Sequence, residues 1–358
     1  MISIAYPYIP RNAIAEVTDT LKSRWIGQGP KVKRFEELFE TTFEVANAVA
    51  VNSGTAALEL AYDLLELGPG DEVITTPLTC TATNIPLVRR RVTIVFADIR
   101  RDTLNIDPSD IERKISPRTK AIVNVHLHGV ESVLPDFGVP VISDSAQALG
   151  IFSGRFTCCS FQAIKHLTTG DGGMLVCQEA ADAKKARLWR WFGIDREVKL
   201  ANNWQPYKNR HILFDIEYPG YKFQMNDVAA AIGIAGLADL NIIMEGRRRM
   251  FDIYRQAGLP LVDGPNNRYG YACVLVENRD TFCELLSAAG IETNVMQVRN
   301  DAYSIFEPFR TPLPNMDWVD ERYVCIPLHN MMSIEDATRV AETAVEALGR
   351  APAEIVVA

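Results

Sequence analysis

Between residues 48 and 177 the chain alternates short, largely apolar runs with segments of helical length. Residues 48–51, 72–75, 93–96, 121–125, 140–143 and 174–177 form such runs, bounded by turn formers, and predict buried strands. Residues 56–67, 79–88 and 108–114 lie between them and predict helices. A parallel crossover needs a helix to return the chain, so this alternation predicts a mostly parallel sheet covered on both faces. Two helices precede it, at 11–23 and 32–43; the second carries Val32, Phe35, Leu38 and Phe39 on one face. A helix at 223–240 closes this part. Beyond it the pattern changes to a charged helix at 245–256, short strands at 271–276 and 324–327, and helices at 280–289 and 334–348. The expectation is an arm and large α/β unit over 1–240, followed by a smaller α+β unit over 241–358.

Composition narrows the possibilities. With 358 residues, 47% of them hydrophobic, the chain can fill more than one core. Its net charge of −8 and pI of about 5.3 provide no general field for nucleic acid or an anionic membrane, so any phosphate affinity must be local. The basic runs Arg89-Arg90-Arg91 and Arg247-Arg248-Arg249 read as solvated helix ends. No uncharged apolar stretch is long enough to cross a bilayer, and the first residues lack the pattern of a leader, which makes the cytoplasm the expected compartment. Seven scattered cysteines without a Cys-x-x-Cys pair suit buried thiols, and the five histidines show no zinc-site spacing, so no metal is expected. On a strand, His126 and His128 would share one face.

Three groups point to chemistry. Ser53-Gly54-Thr55 follows a strand and opens an Ala/Leu-rich helix. It is either an ordinary helix cap or an anion site made of two hydroxyls, a glycine and free N–H groups. Asp144 ends an apolar strand, where open α/β sheets place ligand groups; it either caps the following turn or holds the protonated nitrogen of a pyridine ring. Gln147 lies one turn further on, either at the surface or at the ring oxygen. Lys165 sits between an apolar approach and Thr168-Thr169-Gly170-Asp171-Gly172-Gly173, a reasonable place for an imine-forming amine, and Ser160 precedes it with another hydroxyl. A lysine, a strand-end carboxylate and a hydroxyl–glycine anion site are the parts that a pyridoxal 5'-phosphate (PLP) enzyme needs.

In these blocks the chain resembles the DegT/DnrJ/EryC1/StrS sugar aminotransferases. The likeness extends through Trp25-Ile26-Gly27-Gln28-Gly29-Pro30, Pro69-Gly70-Asp71-Glu72, Val125-His126-Leu127-His128-Gly129, Asp144-Ser145-Ala146-Gln147 and Met225-Asn226-Asp227-Val228. The resemblance implies a PLP-dependent aminotransferase of fold type I. Lys165 would be its imine lysine and Asp144 its pyridinium partner, with Ser53, Gly54, Thr55 and Ser160 as phosphate contacts. It also implies a homodimer with shared sites, pyridoxamine 5'-phosphate as the amino-carrying form of the cofactor, and glutamate as donor. The acceptor would be a nucleotide-linked keto-deoxy sugar, 4-keto ahead of 3-keto, used for surface polysaccharide or glycoconjugate synthesis. A keto-cyclitol acceptor and a non-catalytic regulatory homologue are the alternatives.

The chain also departs from the family pattern. Cys80 stands where relatives stack an aromatic residue on the cofactor. Lys222, in Gly220-Tyr221-Lys222-Phe223-Gln224, replaces an Asn that reaches the partner subunit's phosphate. The segment from Gly129 to Pro140 is short, and Gln297-Val298-Arg299-Asn300-Asp301 replaces a Tyr-x-Pro-Leu-His segment near the sugar. His126, Arg299 and Asn300 are the candidates for substrate contact.

Overall fold

The computed structural model describes residues 1–201, 207–208, 211–212 and 215–349, so the end of the predicted 241–358 unit lies outside the described residues. The large sheet contains β1 (Ala48–Val51), β2 (Glu72–Thr75), β3 (Thr93–Phe96), β4 (Thr119–Val125), β5 (Val141–Asp144), β6 (Phe156–Ser160) and β7 (Gly173–Cys177). Its strand order is β1-β7-β6-β5-β4-β2-β3, with β7 antiparallel to both neighbours and all other strands running one way. Sequence patterning does not mark β6. Its Phe-Thr-Cys-Cys-Ser run is mixed in character, and it becomes a strand because it pairs in register with both β5 and β7.

Helices cover the sheet: α1 (Ala13–Ser23), α2 (Pro30–Phe43), α3 (Gly54–Leu64), α4 (Thr81–Arg89), α5 (Pro108–Lys114), α6 (Ala180–Trp189), α7 (Arg196–Ala201) and α8 (Asp227–Ala238). The helix expected from residue 223 begins only at Asp227. Gln224 bridges to Val51, and Asn226 caps α8 by accepting from the Ala229 amide at 2.9 Å. Asp227 caps α2 as well: its carboxylate accepts from the Gly29, Lys31 and Val32 amides at 2.8, 3.1 and 3.0 Å. The likeness around Met225-Asn226-Asp227 therefore reflects the joining of two helix starts. A two-stranded hairpin, β8 (Tyr207–Lys208) and β9 (His211–Ile212), lies between α7 and α8.

The rest comprises α9 (Leu240–Gln256), β10 (Ala272–Leu275), α10 (Arg279–Ala288), α11 (Pro314–Asp320), β11 (Tyr323–Ile326) and α12 (Ile334–Ala347). The antiparallel pair β10–β11 divides two cores by strand alternation. Ala272, Val274, Val324 and Ile326 face a second core with Phe251, Tyr254, Phe282 and Val340. Tyr271, Cys273, Tyr323 and Cys325 face the core of the large sheet. Residues at the N-terminus join this second part: Ile2 bridges to Ile291, and the Leu328 amide donates to the Ile4 carbonyl.

Two expectations are corrected here. Arg90 is not a solvated helix end, because it is largely enclosed and paired with Glu59 and Asp63. Arg247 lies buried within α9 and donates to the carbonyls of Tyr269, Gly270 and Leu328, while burial pushes its pKa down to about 10. Neither run as a whole is a surface patch. His126 and His128 do not share a strand face either: they lie beyond β4, where His128 takes a left-handed φ of 56° in a short 3-10 turn.

Candidate active site

Because β7 alone is reversed, the ends of β1, β5 and β6 and the start of β7 lie on one edge of the sheet. Val51 and Ser160 both pair with Gly173, which brings the Ser53 turn beside Ser160. A Cβ on Gly173 would lie 2.7 Å from the Gly54 nitrogen, and one on Gly54 would lie 2.9 Å from Cβ of Ser160. Only glycine permits this approach. Ser53 is the cap of α3, and its Oγ accepts from the Ala56 amide at 3.0 Å. The hydroxyl proton of Ser53 is thus left for an acceptor outside the helix. Ser160 Oγ sits against the same turn, and Thr55 is exposed there. Together they form a small anion cradle at a helix start.

Asp144 ends β5, is only 5% exposed and makes no ion pair among the described residues. Thr83 Oγ1 donates to its Oδ2 at 2.8 Å, and the Ala146 amide donates to its Oδ1 at 3.1 Å. Burial raises its pKa above the usual carboxylate range, opposed by those two bonds and by the charge of Lys165. A buried, oriented carboxylate of this kind calls for a cationic partner. Lys165 lies in the loop after β6, half-buried, with Nζ 5.8 Å from the centre of the Tyr271 ring. Among the described residues its amine forms no hydrogen bond or salt bridge. The site thus holds an unengaged amine, an unpaired buried carboxylate and an anion cradle, and these fit a pyridine ring carrying a phosphate.

The other expected residues divide. Cys80 is exposed at the start of α4. Gln147 is buried, and its Oε1 accepts from the His128 amide at 2.8 Å, leaving only its NH2 to donate elsewhere. Lys222 is exposed, and its Nζ lies 5.4 Å from the Phe192 ring centre. Its carbonyl accepts from the Asn52 side chain at 3.2 Å, so its backbone borders the Ser53 turn.

The three residues expected at the substrate are committed elsewhere. His126 is fully buried: Nδ1 accepts from the Ser132 amide at 3.0 Å, and Nε2 meets Ser153 Oγ at 3.4 Å. Burial lowers its pKa to about 4. Asn300 is also fully buried, donating to the Thr79 carbonyl at 2.7 Å and accepting from Asn84 at 2.9 Å. The guanidinium of Arg299 is held by Asp301 and Asp317, each at 2.6 Å. His126 and Asn300 are thus engaged within the fold, while the Arg299 guanidinium, with five N–H donors, uses three of them on the two aspartates. Sequence reasoning missed Thr83 and Tyr271, which are brought to the site by contacts from distant segments. Only the fourfold spacing of Thr79 and Thr83, whose hydroxyls lie 2.9 Å apart, hinted at the first.

Comparison with known proteins agrees with this geometry. The spore coat polysaccharide biosynthesis protein SpsC of Bacillus subtilis is 35% identical over 372 residues, covering 94% of each chain. The solved structure of AtS13 from Actinomadura melliaura matches with a TM-score of 0.89 and 32% identity, covering 97% of this chain and 98% of that one. The sugar aminotransferase CalS13 of Micromonospora echinospora matches with a TM-score of 0.86 and 30% identity, covering 96% and 99%. Solved relatives occur in PLP and PMP forms. The family model itself matches residues 7–345, and the chain belongs to the DegT/DnrJ/EryC1/StrS aminotransferase family of PLP-dependent enzymes.

Proposed function

We propose that this enzyme transfers an amino group from glutamate to a nucleotide-linked keto-deoxy sugar, with a 4-keto sugar as acceptor, in the synthesis of a surface polysaccharide or glycoconjugate. The observation that carries the chemistry is the meeting of Lys165, Asp144 and the Ser53–Gly54–Ser160 cradle on one sheet edge. The acceptor class is supported by the sugar aminotransferase and polysaccharide-synthesis names of the relatives.

When bound, PLP supplies a carbonyl carbon for an amine and a ring that withdraws electrons. Asp144, fixed through both oxygens by Thr83 and Ala146, holds a proton at the ring nitrogen. Ser53, Gly54 and Thr55 would take the phosphate with groups that the helix start leaves unpaired, and Ser160, at the end of β6, would add its hydroxyl. Lys165 would hold the cofactor through Nζ, and its amine would carry the proton that transamination requires. Asn300 secures the wall formed by 77–84.

The homodimer is part of the same proposal. Ile9, Ile14, Leu21, Trp25 and Ile26 in the first 26 residues are each 44–76% exposed, an apolar face that a second copy would cover. No single helix among the described residues is long and apolar enough to cross a membrane. The test is a coupled assay of 2-oxoglutarate formation with glutamate and a panel of nucleotide 4-keto- and 3-keto-sugars plus a free keto-cyclitol. Turnover confined to a nucleotide 4-keto-sugar is expected. Turnover of the cyclitol alone would overturn the acceptor assignment.

A further inference from the structure

Behind the active site, a large-sheet turn meets the β10–β11 pair through backbone bonds. The Tyr271 amide donates to the His128 carbonyl at 3.0 Å, and the Arg268 amide donates to the Gly129 carbonyl at 2.8 Å. Three ligand-bearing side chains converge at this seam. Cys273 lies opposite Cys325 in the register of this antiparallel pair. The N–H and C=O of Cys325 both bond to Asn294 on its other side, so the cysteines occupy a non-hydrogen-bonded pair, where cross-strand side chains approach closest. His128 enters from the large-sheet side, between the rings of Tyr271 and Tyr323, with each centroid 6.0 Å away. The ligand atoms of His128, Cys273 and Cys325 all lie within 4.8 Å of one another.

The exposures of the three residues are 1%, 0% and 0%, and outside this trio neither ring nitrogen of His128 has a hydrogen-bond partner among the described residues. A buried imidazole with both nitrogens unmatched is costly and rare. A Cys273–Cys325 disulfide would leave it so. A metal ion satisfies all three groups together, and two thiolates with one imidazole form a soft set. With a divalent ion the site is electrically neutral, as its burial requires.

We propose that His128, Cys273 and Cys325 hold a zinc(II) ion that fastens the two parts of the molecule behind the active site. Binding displaces one proton from each thiol to solvent and places the ion on the imidazole lone pair. Three protein ligands leave one coordination position open. The clip also steadies Tyr271, two residues from Cys273, beneath Lys165.

The test uses the full chain without a polyhistidine tag, refolded under reducing conditions with equimolar Zn2+, dialysed and assayed by elemental mass spectrometry. About one zinc per protomer is expected, falling below about a tenth in His128→Gln and in the Cys273→Ser/Cys325→Ser double variant, with Cys283→Ser unchanged. Replacement by Co2+ is expected to give a sulfur-to-cobalt charge-transfer band in the native sequence, a readout that survives if the variants fail to fold. Wild type that retains no zinc, cobalt without that band, or zinc retained in full by the double variant would overturn the site. So would a Cys273–Cys325 disulfide in freshly isolated protein.

Discussion

The open edge of the large sheet and the seam behind it are both rich in polar side chains, yet they differ in what those side chains have left to give. Apart from the His128 cluster, the polar groups at the seam and the adjoining wall are spent: His126 uses both ring nitrogens, Asn300 bridges Asn84 and Thr79, Arg247 serves three carbonyls, and Arg299 is held by two aspartates. At the edge, Ser53 keeps a proton to donate, Asp144 has no ion-pair partner, and Lys165 has an unengaged amine. Burial and polarity do not separate site from framework here. Unused bonding capacity does, because a buried polar group must be satisfied by the protein or by what the protein binds.

Breaking the edge should cost chemistry and little stability. Lys165→Ala should lower turnover by about 10⁴-fold or more, since it removes both the anchoring amine and the proton carrier. Its melting temperature should stay near that of the wild type, because the amine holds nothing in the fold; calorimetry beside a single-turnover assay checks both halves. Asp144→Asn should still bind PLP while losing on the order of 10³-fold in turnover, since a neutral amide cannot keep the ring nitrogen protonated. Near wild-type rates in that variant would refute its role.

Breaking the seam should do the reverse. His126 and His166 are buried and neutral, with pKa values lowered by burial from 6.5 to about 4 and about 3. Unfolded, both titrate near 6.5, so at lower pH the unfolded chain binds protons that the native state refuses. Their contribution is therefore complete above about pH 6.5 and lost as pH falls through the folded values, with a slope approaching about 2.7 kcal/mol per pH unit. Denaturant titrations from pH 4 to 7 measure it, and His126→Gln should flatten it by about half. Asn300→Ala should cost about 2–3 kcal/mol by leaving Asn84 and the Thr79 carbonyl short of partners, with kcat of the folded fraction nearly unchanged. A large fall in kcat with stability intact would move Asn300 into the site.

Lys222 sharpens the comparison at the edge between subunits. Its ammonium lies over the exposed Phe192 ring, and Lys222→Ala should weaken cofactor retention by about ten- to a hundredfold. If it acts in the neighbouring site, mixing Lys165→Ala with Lys222→Ala protomers should restore part of the activity, because one site of the heterodimer then carries neither lesion. No recovery after subunit exchange would confine Lys222 to its own chain.

That Ser53, Asp144 and Lys165 sit at strand ends and turns was legible in the sequence because each lies in a local pattern. Ser53-Gly54-Thr55, Asp144 and Lys165 each lie in a short strand–turn pattern, and that pattern determines where each group stands. The substrate candidates were harder to read for a physical reason: residue type cannot show that His126 is enclosed or that Arg299 is already paired with Asp301 and Asp317. Similarly, Arg247 appears in a basic surface run, yet its helical phase turns it inward. The cluster of His128, Cys273 and Cys325 has no sequence spacing to betray it, since its members come from three distant segments joined only by the β10–β11 register and the turn after β4.

The central claim is that Lys165 is the free amine that engages the cofactor. Borohydride reduction of the PLP-loaded enzyme, followed by proteolysis and peptide mass mapping, tests it most directly. A single phosphopyridoxyl label on Lys165 is the predicted result; a label on Lys120, Lys222 or any other lysine, with Lys165 unmodified, would contradict the account.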